Sequence, residues 1–212
     1  MIRKLLVASL LASTVPAFAQ VPAGNTAPQP VPFVDTIPDA VDTPYPGTLL
    51  LDVDATDTER GIFRVKQTIP VAKSGPMALL YPKWLPGAHS PRGEIEKLAG
   101  LVIRANGKIV PWTRDPVDVF ALHIDVPTGA KTVVAEFQFI SATKGDQGRI
   151  VMTPTMVSLQ PNLVSLYPAG YFTRQIPIKM TVTYPAGWTA AGAADASRDA
   201  TRSLRIKERP SG

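Results

Sequence analysis

Gly100-Leu101-Val102-Ile103-Arg104-Ala105-Asn106-Gly107-Lys108-Ile109-Val110-Pro111-Trp112 is the stretch that decides the fold class. Asn106-Gly107 tolerates positive φ at both positions and so favours a type I′ hairpin turn between two apolar runs. The reading predicts a hairpin with arms at 100–104 and 108–112. The same grammar continues on either side: short runs of alternating apolar residues, each closed by Pro or Gly. Leu49, Leu51, Val53 and Ala55 share one face of a first run. Phe63, Val65 and Ile69 oppose Arg64, Lys66 and Thr68, so one side meets a core and the other meets water. Phe120, Leu122, Ile124 and Val126 alternate with Ala121, His123 and Asp125. Val133, Ala135, Phe137 and Phe139 form a further run, and so do Ile178, Met180, Val182 and Tyr184. The 3.6-residue helical period is not sustained over a dozen residues anywhere, and only a short turn is expected near Glu94 to Leu98. The class predicted is all-β, a β-sandwich or curved antiparallel sheet of about eight or more strands.

Arg3 and Lys4 precede the apolar run Leu5 to Leu11 and then Ala17-Phe18-Ala19, the pattern of a secretory signal peptide over 1–19. That run is too short to span a bilayer, which takes about 20 apolar residues, and no later stretch supplies a membrane span. The expected location is outside the cytoplasm, in a bacterial periplasm. Removing Arg3 and Lys4, with no acidic residue lost, lowers the net charge from +5 to +3. The cations are scattered singly, so the electrostatic footprint of a nucleic-acid partner is lacking. With no cysteine, stability must come from burial, and about 190 mature residues suffice for one domain with a sizeable core. Residues 20–44 carry six of the 22 prolines and read as an extended linker. The β-domain is placed at 45–212. Leu204 to Lys207 still reads as a strand, and the abrupt stop at Gly212 reads as a truncation.

The inventory for chemistry is short. A hydrolytic site needs a nucleophile or metal-bound water with a base beside it. The sequence holds two histidines, His89 and His123, and neither an H-E-x-x-H nor a G-x-S-x-G for Ser90, Ser158 or Ser165 to belong to. His123 falls on the polar side of its strand and reads as a surface or inter-sheet histidine. Glu94 and Glu96 read as solvated charges, and Trp84, Trp112 and Trp188 as core-packing edges of apolar runs. No catalytic residue and no metal ligand is expected in this chain.

Tyr81-Pro82-Lys83-Trp84-Leu85-Pro86-Gly87, Leu101 to Asp115, and Tyr184-Pro185-Ala186-Gly187-Trp188, taken together, resemble the N-terminal domain of the M61 glycyl aminopeptidase family. The family's first motif resembles W-x-P-G-S-Y followed by Arg; here Ala88-His89-Ser90-Pro91-Arg92 stands in place of the Ser-Tyr portion. The resemblance implies a parent zinc aminopeptidase that releases N-terminal Gly or Ala. In it, this domain would precede a helical domain carrying H-E-x-x-H and, often, a PDZ-like domain. The zinc would sit in that missing catalytic domain, and peptide would be the substrate of the full-length protein.

An exopeptidase must close one end of its cleft, and a rigid sheet packed on the catalytic domain can supply that wall. Two turn-dense segments are candidates to face it: Trp84, Pro86, Gly87, His89 and Arg92 in the first, and Asn162, Tyr167 and Tyr171 in the second. The alternative is a free-standing periplasmic β-sandwich that binds a protein or small ligand.

Overall fold

The structure is a computed structural model that describes residues 34–85, 87–144, 148–189 and 191, and the backbone of 202–208. The signal peptide, the linker as far as 33, Pro86 and the last four residues lie outside the described residues. Within the unit that begins at Thr36, alternation becomes strand almost everywhere it was expected. The first eight strands are β1 (Leu49–Asp57), β2 (Ile62–Pro70), β3 (Gly75–Leu80), β4 (Leu98–Ala105), β5 (Lys108–Val110), β6 (Trp112–Arg114), β7 (Ala121–Val126) and β8 (Thr132–Ile140). They are followed by β9 (Val151–Thr153), β10 (Met156–Ser158), β11 (Tyr167–Pro168), β12 (Ile178–Tyr184) and β13 (Arg202–Glu208). The helical elements among the described residues are three single 3₁₀ turns, at Ile95–Lys97, Pro161–Val164 and Thr173–Gln175. The first falls where a short turn was expected.

Seven strands form one sheet in the order β13-β12-β1-β2-β8-β4-β5, and four form a second in the order β11-β3-β7-β6. β9 and β10 make a separate hairpin. The buried sides of the two larger sheets meet in one hydrophobic cluster. Leu49, Leu51, Val53 and Ala55 of β1, Phe63, Val65 and Ile69 of β2, and Val133 to Phe139 at every second residue of β8 enter it from the larger sheet. Leu79 of β3 and Leu122, Ile124 and Val126 of β7 enter from the smaller. The alternate residues face outward, as period-two geometry demands.

Two expectations are corrected. The larger sheet is mixed rather than antiparallel: β12 lies parallel to β1, with Leu51 opposite Met180 and Val53 opposite Val182, and β13 is again parallel to β12. A parallel neighbour needs a long connection, and here most of the domain lies between β1 and β12. The predicted arm 108–112 is likewise two strands in two sheets. Asn106 and Gly107 do have φ of 50° and 75°, and Ala105 pairs with Lys108. Pro111, which has no N–H for the ladder, breaks the arm, and Trp112 starts β6 beside β7.

Parity also carries one polar side chain inward. Gln67 on β2 is fully buried. Its Nε2 donates to the Leu166 carbonyl at 2.6 Å and its Oε1 accepts from the Leu166 N–H at 2.8 Å. The amide thus acts as a substitute strand for the irregular segment after the Pro161–Val164 turn. No buried side-chain nitrogen or oxygen among the described residues lacks a partner.

Candidate functional site

The loops at one end of the four-stranded sheet are irregular, and each is tied by side chains. Beyond Leu80 the chain leaves β3, and the Tyr81 N–H donates to the Phe120 carbonyl at 2.8 Å. The buried Tyr81 hydroxyl donates to the Leu163 carbonyl at 2.8 Å, and burial pushes its pKa above the usual tyrosine value. The chain then reverses, with the Arg92 and Gly93 amides both donating to the Lys83 carbonyl, at 2.8 and 3.0 Å. Gly93 is required by this close approach, since a Cβ there would lie 2.1 Å from the Pro82 carbonyl oxygen and 2.9 Å from Phe120 Cε1.

The connection from β6 to β7 forms the second part. Asp115 is 5% exposed. Its Oδ1 accepts from the Val117 and Asp118 amides at 2.9 and 2.8 Å, an Asx-type turn of the kind Asp-Pro sequences start. Its Oδ2 lies 2.8 Å from His123 Nε2. The Asp118 N–H, His123 and the Val117 N–H together hold the Asp115 carboxyl down at about 2, against an ordinary 3.8. Asp118 in turn takes the Lys83 ammonium at 2.5 Å and the Phe120 N–H at 3.0 Å. The two loops are therefore bonded to each other, and they leave Trp84, Val117 and Val119 exposed to solvent.

Of the residues expected at a shared surface, several lie on or beside these loops. Trp84, Gly87, His89 and Arg92 are exposed on the loop after β3. Arg92 Nε donates to Ser90 Oγ at 3.1 Å. Asn162 is exposed on the 3₁₀ turn that Tyr81 holds through Leu163. Tyr167 sits in β11 opposite Leu80, and burial and the nearby Asp118 carboxylate raise its pKa. Tyr171 does not join this end. It lies past Ala169, toward the opposite end of β11, where its ring meets Tyr45 edge-on at 4.9 Å. Tyr45, whose hydroxyl donates to the Pro70 carbonyl, is pushed up to about 12 by burial and by Tyr171.

Two other readings change. Trp112 does pack on the core, with Nε1 donating to the Leu101 carbonyl at 3.1 Å, but Trp84 is 60% exposed. Glu94 is not a solvated charge: the 3₁₀ turn places Lys97 three residues on, 3.1 Å away, with both side chains largely buried. Its Oε1 also accepts the Arg149 N–H at 3.2 Å. Sequence reasoning missed Lys83, Asp115 and Asp118. The available signal was Asp115-Pro116, a turn-starting dipeptide between two strands.

Among the described residues no three His, Asp or Glu side chains gather as a metal site. His123 meets a single carboxylate, so the zinc that the resemblance implies does not fit the described part of this chain. No helix among the described residues is long and apolar enough to cross a membrane. Elsewhere, the outward face of the seven-stranded sheet forms an open groove of about 570 Å³. Asp52 and Asp54, then Arg64 and Lys66, then Glu136 and Arg104 line it on neighbouring strands, so its charges neutralise one another.

Residues 50–207 match the family described as the peptidase M61 N-terminal domain. The fold is similar to the crystal structure of an aminopeptidase N family protein from Idiomarina loihiensis, with a TM-score of 0.55 at 16% identity. That likeness covers 66% of this chain and 22% of the other, so the chain spans about a fifth of the length of the protein it resembles in shape. No curated protein matches the sequence.

Proposed function

From the premise that this chain belongs to the peptidase M61 N-terminal domain family, we propose that it is the non-catalytic N-terminal domain of an exported zinc aminopeptidase. It packs on the catalytic domain and walls one end of the peptide cleft, so that only chain termini reach the metal held by that second domain. The observation that carries this reading is the match over residues 50–207, together with its placement. Trp84 and Gly87, within the segment that resembles the family's first motif, are exposed on a loop that Tyr81, Lys83 and Gly93 stiffen. Residues 1–19 direct export, and the periplasm is the site of action. Trp84, Gly87, His89, Arg92, Asn162 and Tyr167 are the contact or cleft residues; Tyr171 instead fastens the segment around Tyr45.

Assays on glycyl and alanyl anilides with added zinc test the reading. The chain alone gives no turnover, and addition of a separately produced M61 catalytic domain bearing H-E-x-x-H gives aminopeptidase activity that exceeds that of the catalytic domain by itself. Turnover by the chain alone that vanishes on changing His89 or His123 would defeat the proposal, as would a catalytic domain indifferent to the chain.

A further inference from the structure

Val41 lies parallel beside Tyr171. Its N–H donates to the Gly170 carbonyl at 3.2 Å, and its carbonyl accepts from the Phe172 N–H at 3.4 Å. Further along, the Tyr45 N–H donates to the Gln175 carbonyl at 2.9 Å and the Leu49 N–H to the Pro177 carbonyl at 2.8 Å. β1 and β12 then continue the same parallel course, with Leu49 opposite Ile178. Residues 41–48 thus run alongside 170–177, the stretch in which the chain changes sheets. Before it, Tyr167 and Pro168 pair with β3 in the four-stranded sheet, and the Ala169 N–H donates to the Ala78 carbonyl at 2.9 Å. After it, Ile178 starts β12 in the seven-stranded sheet.

We infer that residues 41–48 are a strap that fastens this crossover, and that strap and crossover open together from the outer end while the sheets stay closed. The fastening is graded along the strap. At its outer end Val41, Asp42 and Arg174 are all exposed. There Asp42 Oδ2 accepts from Arg174 Nη2 at 2.7 Å and Oδ1 from Gln175 Nε2 at 2.5 Å, and the Arg174 guanidinium lies 4.3 Å over the Phe172 ring. Water competes for each of these exposed contacts, so this end opens easily. At the inner end Tyr45 is buried, its ring meets Tyr171 edge-on, and its hydroxyl donates to the Pro70 carbonyl at the end of β2. One side chain thereby joins the strap to the crossover and to the larger sheet, and marks where opening stops. Beyond it the chain enters β1, which has a strand on either side. Without such a stop, motion of the residues before Val41 would reach an inner strand directly; the strap confines it to the outer end.

Amide hydrogen exchange in the 212-residue chain tests this. In the wild type, Val41 and Phe172 exchange faster than Tyr45 and Leu49, and all four exchange faster than the β2–β8 ladder. Asp42→Ala, at an exposed position that leaves the core untouched, raises exchange at Val41 and Phe172 about threefold, with Leu49 unchanged. Asp42→Asn keeps an acceptor for Gln175 and falls between the two. Tyr45→Ala removes the stop: Val41, Tyr45, Phe172 and Ala169 rise together by about tenfold or more, while the β2–β8 ladder is unchanged. Tyr45→Phe keeps the ring on Tyr171, loses only the bond to Pro70, and gives a smaller rise at the same amides. Exchange at Val41 and Phe172 that ignores Asp42→Ala overturns the opening from the outer end. An Ala169 amide indifferent to Tyr45→Ala overturns the coupling of strap to crossover. A rise spread evenly over strap and ladder makes the segment an ordinary part of the sheet and overturns the strap itself.

Discussion

β2 and β8 pair over nine consecutive residues, from Ile62 opposite Ile140 to Pro70 opposite Thr132. The loops around Trp84 have no such ladder; Tyr81, Lys83, Asp115 and Asp118 hold them one bond at a time. In the first region many apolar contacts share the load, and every strand depends on its neighbours. In the second a few polar side chains each fix one turn. Damage to the sheet should therefore appear as loss of global stability, and damage to the loops as local opening with the core intact.

The largest effect belongs to the sheet. Phe63 is completely buried in β2, and Phe63→Ala should lower unfolding free energy by about 3–5 kcal/mol in urea titrations. A loss below about 1 kcal/mol would mean that burial does not dominate there. Gln67→Leu comes next, at roughly 2–3 kcal/mol, because it strands the buried N–H and C=O of Leu166 while leaving volume nearly unchanged. If this variant is as stable as the wild type, the amide is not the link between β2 and the Pro161–Val164 turn.

Gly93→Ala probes the other region. Its Cβ would press on the Pro82 carbonyl and Phe120, and overpacking of this kind costs about 1–3 kcal/mol. Exchange should rise at the Lys83 and Arg92 loop first; a purely global effect would erase the distinction between the two regions. Asp115 gives the same region a pH signature. Its folded pKa of about 2 lies below the ordinary 3.8, so its contribution is complete above about pH 4 and is lost as pH falls toward 2. Acid unfolding followed by circular dichroism should be shallower across that window in Asp115→Asn. Identical wild-type and variant profiles would show that the carboxylate stabilises nothing.

The contrast also explains what could be read from the chain beforehand. Leu49 to Ala55, Phe63 to Ile69 and the Asn106-Gly107 turn are local patterns, and period two plus turn chemistry suffices for them. The parallel seat of β12 beside β1 is not local: nothing in Ile178 to Tyr184 marks which edge it joins. Pro111 was visible as a residue without an N–H, but that the strand would resume in the other sheet depends on β7. Gln67 shows the same limit at a single position, since parity points it inward while its partner is 99 residues away. Among the candidate contact residues, exposure of the turn-rich loop at His89 and Arg92 accords with its prolines and glycine, whereas Trp84, which continues an apolar run and reads as core, is exposed. Asp115 and His123 meet only because β6 and β7 pair. Tyr171 was grouped with Asn162 by nearness in sequence, yet β11 carries the two to different places.

The smallest effect lies on the outward face of the larger sheet. Arg104 and Glu136 approach to 3.7 Å with both side chains nearly half exposed, and Lys66 stands opposite Glu136 on the neighbouring strand. Water screens each pair, and holding two long side chains in place offsets most of the attraction. Glu136→Gln should therefore change unfolding free energy by no more than about 0.5 kcal/mol, with the difference vanishing in about 1 M salt. A loss of several kcal/mol that persists in salt would mean that the groove is not a solvated ladder of matched charges. Polar side chains would then govern stability in the sheet as well, and the division between a sheet held by burial and loops held by single bonds would fail where it is expected to be clearest.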